Sequence, residues 1–116
     1  AVREVGLPVL EESLRQGLSW NDAGCRTLLA LMGTTEDTNL MARGGIDAQK
    51  QTAAEAEALF RRFPDWEGVN QLDRALIARH LSPGGSADLL ALCYLLHFLK
   101  EATEAEFSQK APNLQK

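Results

Sequence analysis

Apolar residues recur along this chain at three- and four-residue intervals, and the polar and glycine–proline breaks between them mark out five helices. Over roughly Val2 to Gln16, Val9, Leu10 and Leu14 share a face, with Pro8 marking a start or kink and Gly17 an end. "SWND" then supplies Ser19 as an N-cap with Asp22 three residues on, the capping-box spacing with Asp in place of Glu or Gln. Leu28, Leu29, Leu31 and Met32 form the apolar face of this second helix, which stops near Gly33. "TTEDTNLMARGG", Thr34 to Gly45, is polar except for Leu40 and Met41 and reads as a loop with a short helical turn. Helix resumes from Ile46 to Phe63, with Ala54, Ala58, Leu59 and Phe63 expected inward, until Pro64 breaks it. A fourth helix, about Trp66 to His80, carries Leu72, Ala75, Leu76 and Arg79 with Ile77 alongside. "SPGGS" ends it and starts the fifth, which is expected to run to about Ala102.

No alternating strand pattern occurs, so the fold class is all-α, a bundle of about five helices with the last one strongly apolar. In that last helix Leu89, Leu90, Leu92, Cys93, Leu95, Leu96, Phe98 and Leu99 cover most of the circumference. A helix apolar all round is expected to be buried all round, and four companions barely suffice to enclose it. The chain therefore divides into a helical portion, 1–103, and a frayed tail, 104–116, ending in "SQKAPNLQK".

Composition narrows the function classes. The chain has 116 residues, 45% hydrophobic and 24% charged, with a net charge of -4 that argues against a broad nucleic-acid-binding surface. Its longest apolar run, Leu89 to Leu99, is interrupted by His97 and is shorter than the ~20 residues of a membrane span. No signal peptide is visible, and Cys25 and Cys93 stand far apart in apolar runs, which fits buried thiols in a reducing cytoplasm and not a zinc site. The chain opens on Ala1, inside helix and without a methionine, and so reads as a piece of a longer one.

Two loops carry candidate chemistry. In "SPGGSAD", Pro83 fits a first helical turn, while Gly84 and Gly85 let main-chain amides approach a ligand closely. Free amides at a helix start attract phosphate, and Ser82 and Ser86 add hydroxyl donors. Asp88 would repel that phosphate unless a magnesium ion bridged the two. The same residues also read as a plain helix start, a serine cap with an acid complementing the dipole. In "EDTNLMARGG", Asp37, Asn39 and Arg43 offer a metal ligand, a polar contact and a phosphate clamp, and Gly44 and Gly45 leave room for a ligand or a sharp turn. That loop too has a plainer reading, as a cap at Asp37 or Thr38, a surface arginine and a glycine stop. His80, beside "SPGGS", either caps its own helix or touches a ligand phosphate, and His97 reads as a structural histidine in the apolar helix. Trp20 and Trp66 read as core or rim packing.

Taken in order, "LLALMGTTEDTNLMARGG" and "LDRALIARHLSPGGSADLLAL" resemble the C-terminal half of the triphosphoribosyl-dephospho-coenzyme A synthases, from Leu7 to about Leu99. The resemblance rests on Asp37, Thr38, Asn39, Arg43, Gly44 and Gly45, then on Ser82, Pro83, Gly84, Gly85, Ser86, Ala87, Asp88 and Leu89. It implies an all-helical cytoplasmic transferase with ATP and 3'-dephospho-CoA as substrates. A ribose hydroxyl of the coenzyme attacks the anomeric carbon of ATP, and adenine leaves. The product is the prosthetic-group precursor for the acyl carrier protein of citrate lyase or malonate decarboxylase. By that resemblance Asp37 and Asp88 hold Mg2+ or supply the base, and Arg43, Gly44, Gly45, Ser82, Gly84, Gly85 and Ser86 grip phosphates. Asn39 and His80 add polar contacts. Family members are about twice this length, and their N-terminal half, with its own polar motifs, is not found here. The chain alone is therefore expected to be inactive, to lack the neighbour of its fifth helix, and to self-associate through that apolar face. Two other readings are an all-helical magnesium-dependent nucleotide pyrophosphohydrolase and a non-enzymatic helical interaction module.

Overall fold

In the computed structural model a single π-helical turn, Val2–Gly6, leads into α1, Leu7–Arg15, followed by α2, Trp20–Thr34, α3, Thr38–Arg61, α4, Trp66–Ala78, and α5, Gly84–Lys110. The structure describes residues 1–110, with side chains through Glu106, and among these residues there is no strand. The starts of α1 to α4 have local causes. Pro8 sits in the first turn of α1, where its missing N–H costs nothing. Ser19 caps α2, its Oγ accepting from the Asp22 amide at 3.1 Å. Asp37 caps α3 and Asp65 caps α4, the latter accepting from the Gly68 amide at 3.0 Å. Gly17 ends α1 with φ 91°, a left-handed conformation that glycine alone adopts freely.

The loop expected over Thr34 to Gly45 is mostly helical, since the first turns of α3 begin at Thr38. They meet the long remainder of α3 at a kink on Gly45, whose φ 88° and ψ 173° are open only to glycine. The motif residues before the kink thereby project from a short helix set off from the main one.

Two apolar clusters share α2 between them. One packs Leu29 and Met32 of α2 against Leu40, Ala56 and Leu59 of α3 and Leu72 and Leu76 of α4. The other joins Leu10 of α1, Ala23 and Leu31 of α2 and Cys93 of α5. Several inward assignments are corrected. In α3 the buried residues are Ala48, Gln49, Thr52, Ala56 and Leu59, while Ala54 and Ala58 are exposed. In α4 only Leu72 and Leu76 are buried, and Ala75, Ile77 and Arg79 face solvent. Both tryptophans lie at the rim, half exposed.

The fifth helix departs most from expectation. It runs two turns past Ala102, through Lys110, so 104–110 continue the helix and only 111–116 of the expected tail lie outside the described residues. Nor is it buried all round. Ser86, Cys93 and His97 face the core, whereas Leu92, Leu95, Phe98 and Leu99 are 42%, 53%, 50% and 54% exposed. The reason is geometric: the π turn, α1, α2 and the start of α3 cover one side of α5, and the described residues leave the side carrying Leu92, Leu95 and Leu99 open.

Candidate functional site

The two motif loops meet at one carboxylate. Asp37 Oδ1 accepts from the Asn39 amide at 3.1 Å and the Leu40 amide at 3.2 Å, which is its capping of α3. The same oxygen takes the Gly85 amide at 3.3 Å, and Oδ2 takes the Ser86 amide at 2.9 Å and the Ser86 hydroxyl at 3.1 Å. One aspartate thus joins the N-termini of α3 and α5, whose amide ends both favour a negative charge. It is 1% exposed, and Ser86 is wholly buried. Burying a carboxylate is costly unless its lone pairs are satisfied, and five donors satisfy these.

Gly84 and Gly85 make the approach possible. A Cβ on Gly85 would lie 3.1 Å from Asp37 Oδ1, and one on Gly84 would lie 2.6 Å from Asn39 Nδ2. Further along, Gly44 packs on Leu81, immediately before Ser82, where an added Cβ would come within 2.9 Å. The first loop therefore touches the second at three successive points.

The expected site residues fall into two groups. Asp37, Asn39, Gly44, Gly84, Gly85 and Ser86 are brought together, but the amides of Gly85 and Ser86 point at Asp37, where a bound phosphate had been expected. Arg43, Gly45, Ser82, His80 and Asp88 are exposed, and among the described residues no side-chain hydrogen bond or ion pair engages Arg43, His80 or Asp88. His80 takes φ 55° at the turn after α4, which sets the direction of the chain into Ser82. Among the described residues no cluster of three or more His, Cys, Asp or Glu could hold a metal. Magnesium asks for less, taking one or two carboxylates with phosphate oxygens. Asp88, open to solvent, fits that donor set, whereas Asp37, with five donors on its two oxygens, does not.

A second polar cluster, which the residue pattern did not reveal, ties α1 to α5. Glu11 accepts from Lys100 Nζ at 3.3 Å and lies 3.2 Å from His97 Nδ1. His97 Nε2 lies 3.2 Å from Glu101 Oε1 without hydrogen-bond alignment, and Trp20 packs on the ring with centroids 5.6 Å apart. Burial pushes the Glu11 carboxyl up, but the hydrogen bonds from His97 and Lys100 more than reverse this and hold it below the ordinary 4.5. His97 is thus a structural residue on the side of α5 that faces α1.

Comparison with known proteins gives a consistent result. The model of a family described as "CitG: ATP:dephospho-CoA triphosphoribosyl transferase" matches residues 1–107. A 2-(5''-triphosphoribosyl)-3'-dephosphocoenzyme-A synthase of Pectobacterium atrosepticum is 44% identical over 91 residues, covering 78% of this chain and 30% of that protein. A protein of the same name from Escherichia fergusonii is 40% identical over 116 residues, 90% of this chain and 37% of its own length. Another, from Klebsiella pneumoniae, is 40% identical over 105 residues, 82% of this chain and 33% of its own. The chain spans about a third of the length of the curated relatives it matches, less than the half expected from the sequence. No solved structure matches it.

Proposed function

Because the chain belongs to the CitG family of ATP:dephospho-CoA triphosphoribosyl transferases, we propose that it supplies the phosphate-facing part of a site joining ATP to 3'-dephospho-CoA with loss of adenine. The observation that carries this reading is the Asp37 junction, which makes one site of two motifs lying 48 and 49 positions apart in the chain. Asp37 acts as a positioning residue. It fixes the start of α5 and, through it, presents Asp88 one turn into the helix. Asp88 is the exposed carboxylate that would take the proton of the attacking ribose hydroxyl or hold Mg2+. Arg43, Ser82 and the glycine backbone at Gly44, Gly45 and Gly84 bind the triphosphate that ATP retains, with Asn39 and His80 as flanking polar contacts. A magnesium ion held at Asp88 would neutralise and orient the retained triphosphate.

The retained polyphosphate sets this reading apart from pyrophosphohydrolysis, in which the phosphates are cut. The product would serve the acyl carrier protein of citrate lyase or malonate decarboxylase, in the cytoplasm. Residues beyond this chain complete the site, so the 116-residue chain binds without turning over. A chimera tests the proposal: residues 1–107 replace the matching part of the Pectobacterium atrosepticum relative. Released adenine is read by chromatography and the coupled coenzyme by mass spectrometry. The chimera should form both, and Asp88→Asn should lower turnover by about 100-fold or more, the usual loss with a proton-transfer group. A folded chimera that releases no adenine, or yields pyrophosphate and a monophosphate, overturns the reading.

A further inference from the structure

Between α2 and α4, beside the glycine loop, lies a groove of about 360 Å³. Leu28 and Met32 line one wall, Leu72 and Leu76 the other, and Asp73 and Ser82 stand among them as polar groups. Its size lies in the range of small-molecule sites, roughly 300–1,000 Å³, and so does its character, an apolar slot with a few polar groups. Burial, and then the nearby Asp22, push the thiol of Cys25, which also lines the groove, above its ordinary value, so it adds a neutral surface.

The order of chemistry along the groove identifies its occupant. Apolar walls lead along α4 to Ser82 and Pro83, and Gly84 starts α5 next to them. A nucleotide has the same order: a flat base with apolar faces and a polar edge, then a sugar, then phosphates. We propose that this groove binds an adenine ring, with its exocyclic amino group donating to Asp73 and its phosphates directed toward Ser82 and Gly84. The proposal rests on the transferase reading, since both substrates of that reaction carry adenine, and it adds a base pocket to the phosphate-facing loop. Asp73 sets the base specificity: a carboxylate accepts from the amino group of adenine and repels the carbonyl of hypoxanthine.

Calorimetric titration of the 116-residue chain with adenosine, inosine, inorganic triphosphate, ATP and dephospho-CoA tests this. The wild-type chain should prefer adenosine to inosine by about tenfold or more, the worth of one charge-assisted hydrogen bond. Asp73→Asn should bring the two within about threefold, because a side-chain amide can also donate to the inosine carbonyl. Leu72→Trp, which fills the slot, should weaken adenosine by about tenfold or more and leave triphosphate unchanged; its helical circular dichroism is checked alongside, and if it does not fold, Asp73→Asn decides alone. Loss of ATP affinity in Asp73→Asn assigns the ring to ATP, and loss of dephospho-CoA affinity assigns it to the coenzyme. An unchanged adenosine-to-inosine ratio in Asp73→Asn overturns the proposal. Binding of triphosphate without adenosine overturns the base pocket and leaves the transferase reading standing, whereas binding of none of the five overturns both.

Discussion

At the residue scale, Asp37 shows how one side chain joins what the chain order separates. Spacing alone marks it as a helix cap or a metal ligand, and the cap is what the local amides confirm. Its further partners come from Gly85 and Ser86, and no local pattern predicts a pairing over 48 residues. Asp37→Ala removes the acceptor of four amides and one hydroxyl and should cost about 3 kcal/mol or more of stability in urea unfolding. Ser86→Ala removes one bond and should cost about 1 kcal/mol, while Asp88→Asn, exposed and unpaired, should leave stability within about 0.5 kcal/mol. The Glu11 cluster gives a pH prediction of definite sign. A carboxyl held below 4.5 when folded contributes stability that is complete above 4.5 and fades as pH falls through its lower folded value. Chemical unfolding at about pH 6 and at about pH 3 should therefore show a larger acid loss in the native chain than in Glu11→Gln.

At the scale of elements, starts and stops are legible because their causes are local: Pro8, Gly17, the Ser19 cap and Pro64 act within a turn of themselves. The buried faces are less so. The α2–α3 contact is close, and a Cβ on Gly33 would lie 3.2 Å from the Glu57 backbone. Small and polar residues such as Ala48, Gln49, Thr52 and Ala56 fit so tight a seam, with Gln49 Nε2 donating to the Thr35 carbonyl at 3.0 Å. A reading that looks for large apolar residues cannot tell that face from the one carrying Ala54 and Ala58. Of the readings open to the glycine pair, a ligand gap, a sharp turn or a helix stop, the structure shows a turn, a kink inside α3 that depends on Gly45 alone. Gly45→Ala forces a side chain into a conformation that costs about 1–3 kcal/mol. The variant should lower the melting temperature. In the chimera it should also raise the KM for ATP, because Arg43 projects from the short segment the kink orients. Gly17→Ala has a similar φ but lies far from the motif loops, and it should lower stability without moving that KM.

At the scale of the molecule, the sequence overstates how much of α5 this chain can enclose. The helix packs by Ser86, Cys93 and His97; on its leucine-rich side the Phe98 ring lies 5.3 Å from that of Trp20, while Leu92, Leu95 and Leu99 face solvent. Four large apolar residues, Leu92, Leu95, Phe98 and Leu99, stand about half exposed within two turns of one helix. A contiguous apolar patch of that kind favours association, since burying it removes hydrocarbon from water at roughly 25 cal/mol per Å². Relatives that match this chain over about a third of their length have much more chain with which to cover such a face. The 116-residue chain should therefore self-associate as its concentration rises, with sedimentation velocity showing a growing dimer fraction. Leu95→Gln combined with Leu99→Gln should restore the monomer and leave helical content and melting temperature nearly unchanged, because both side chains are more than half exposed and belong to neither apolar cluster. In the chimera the same double variant should instead lower the melting temperature, since there the patch is covered within one molecule. A chain that stays monomeric at all concentrations, alongside a chimera indifferent to the double variant, would show that this face of α5 is solvated by design.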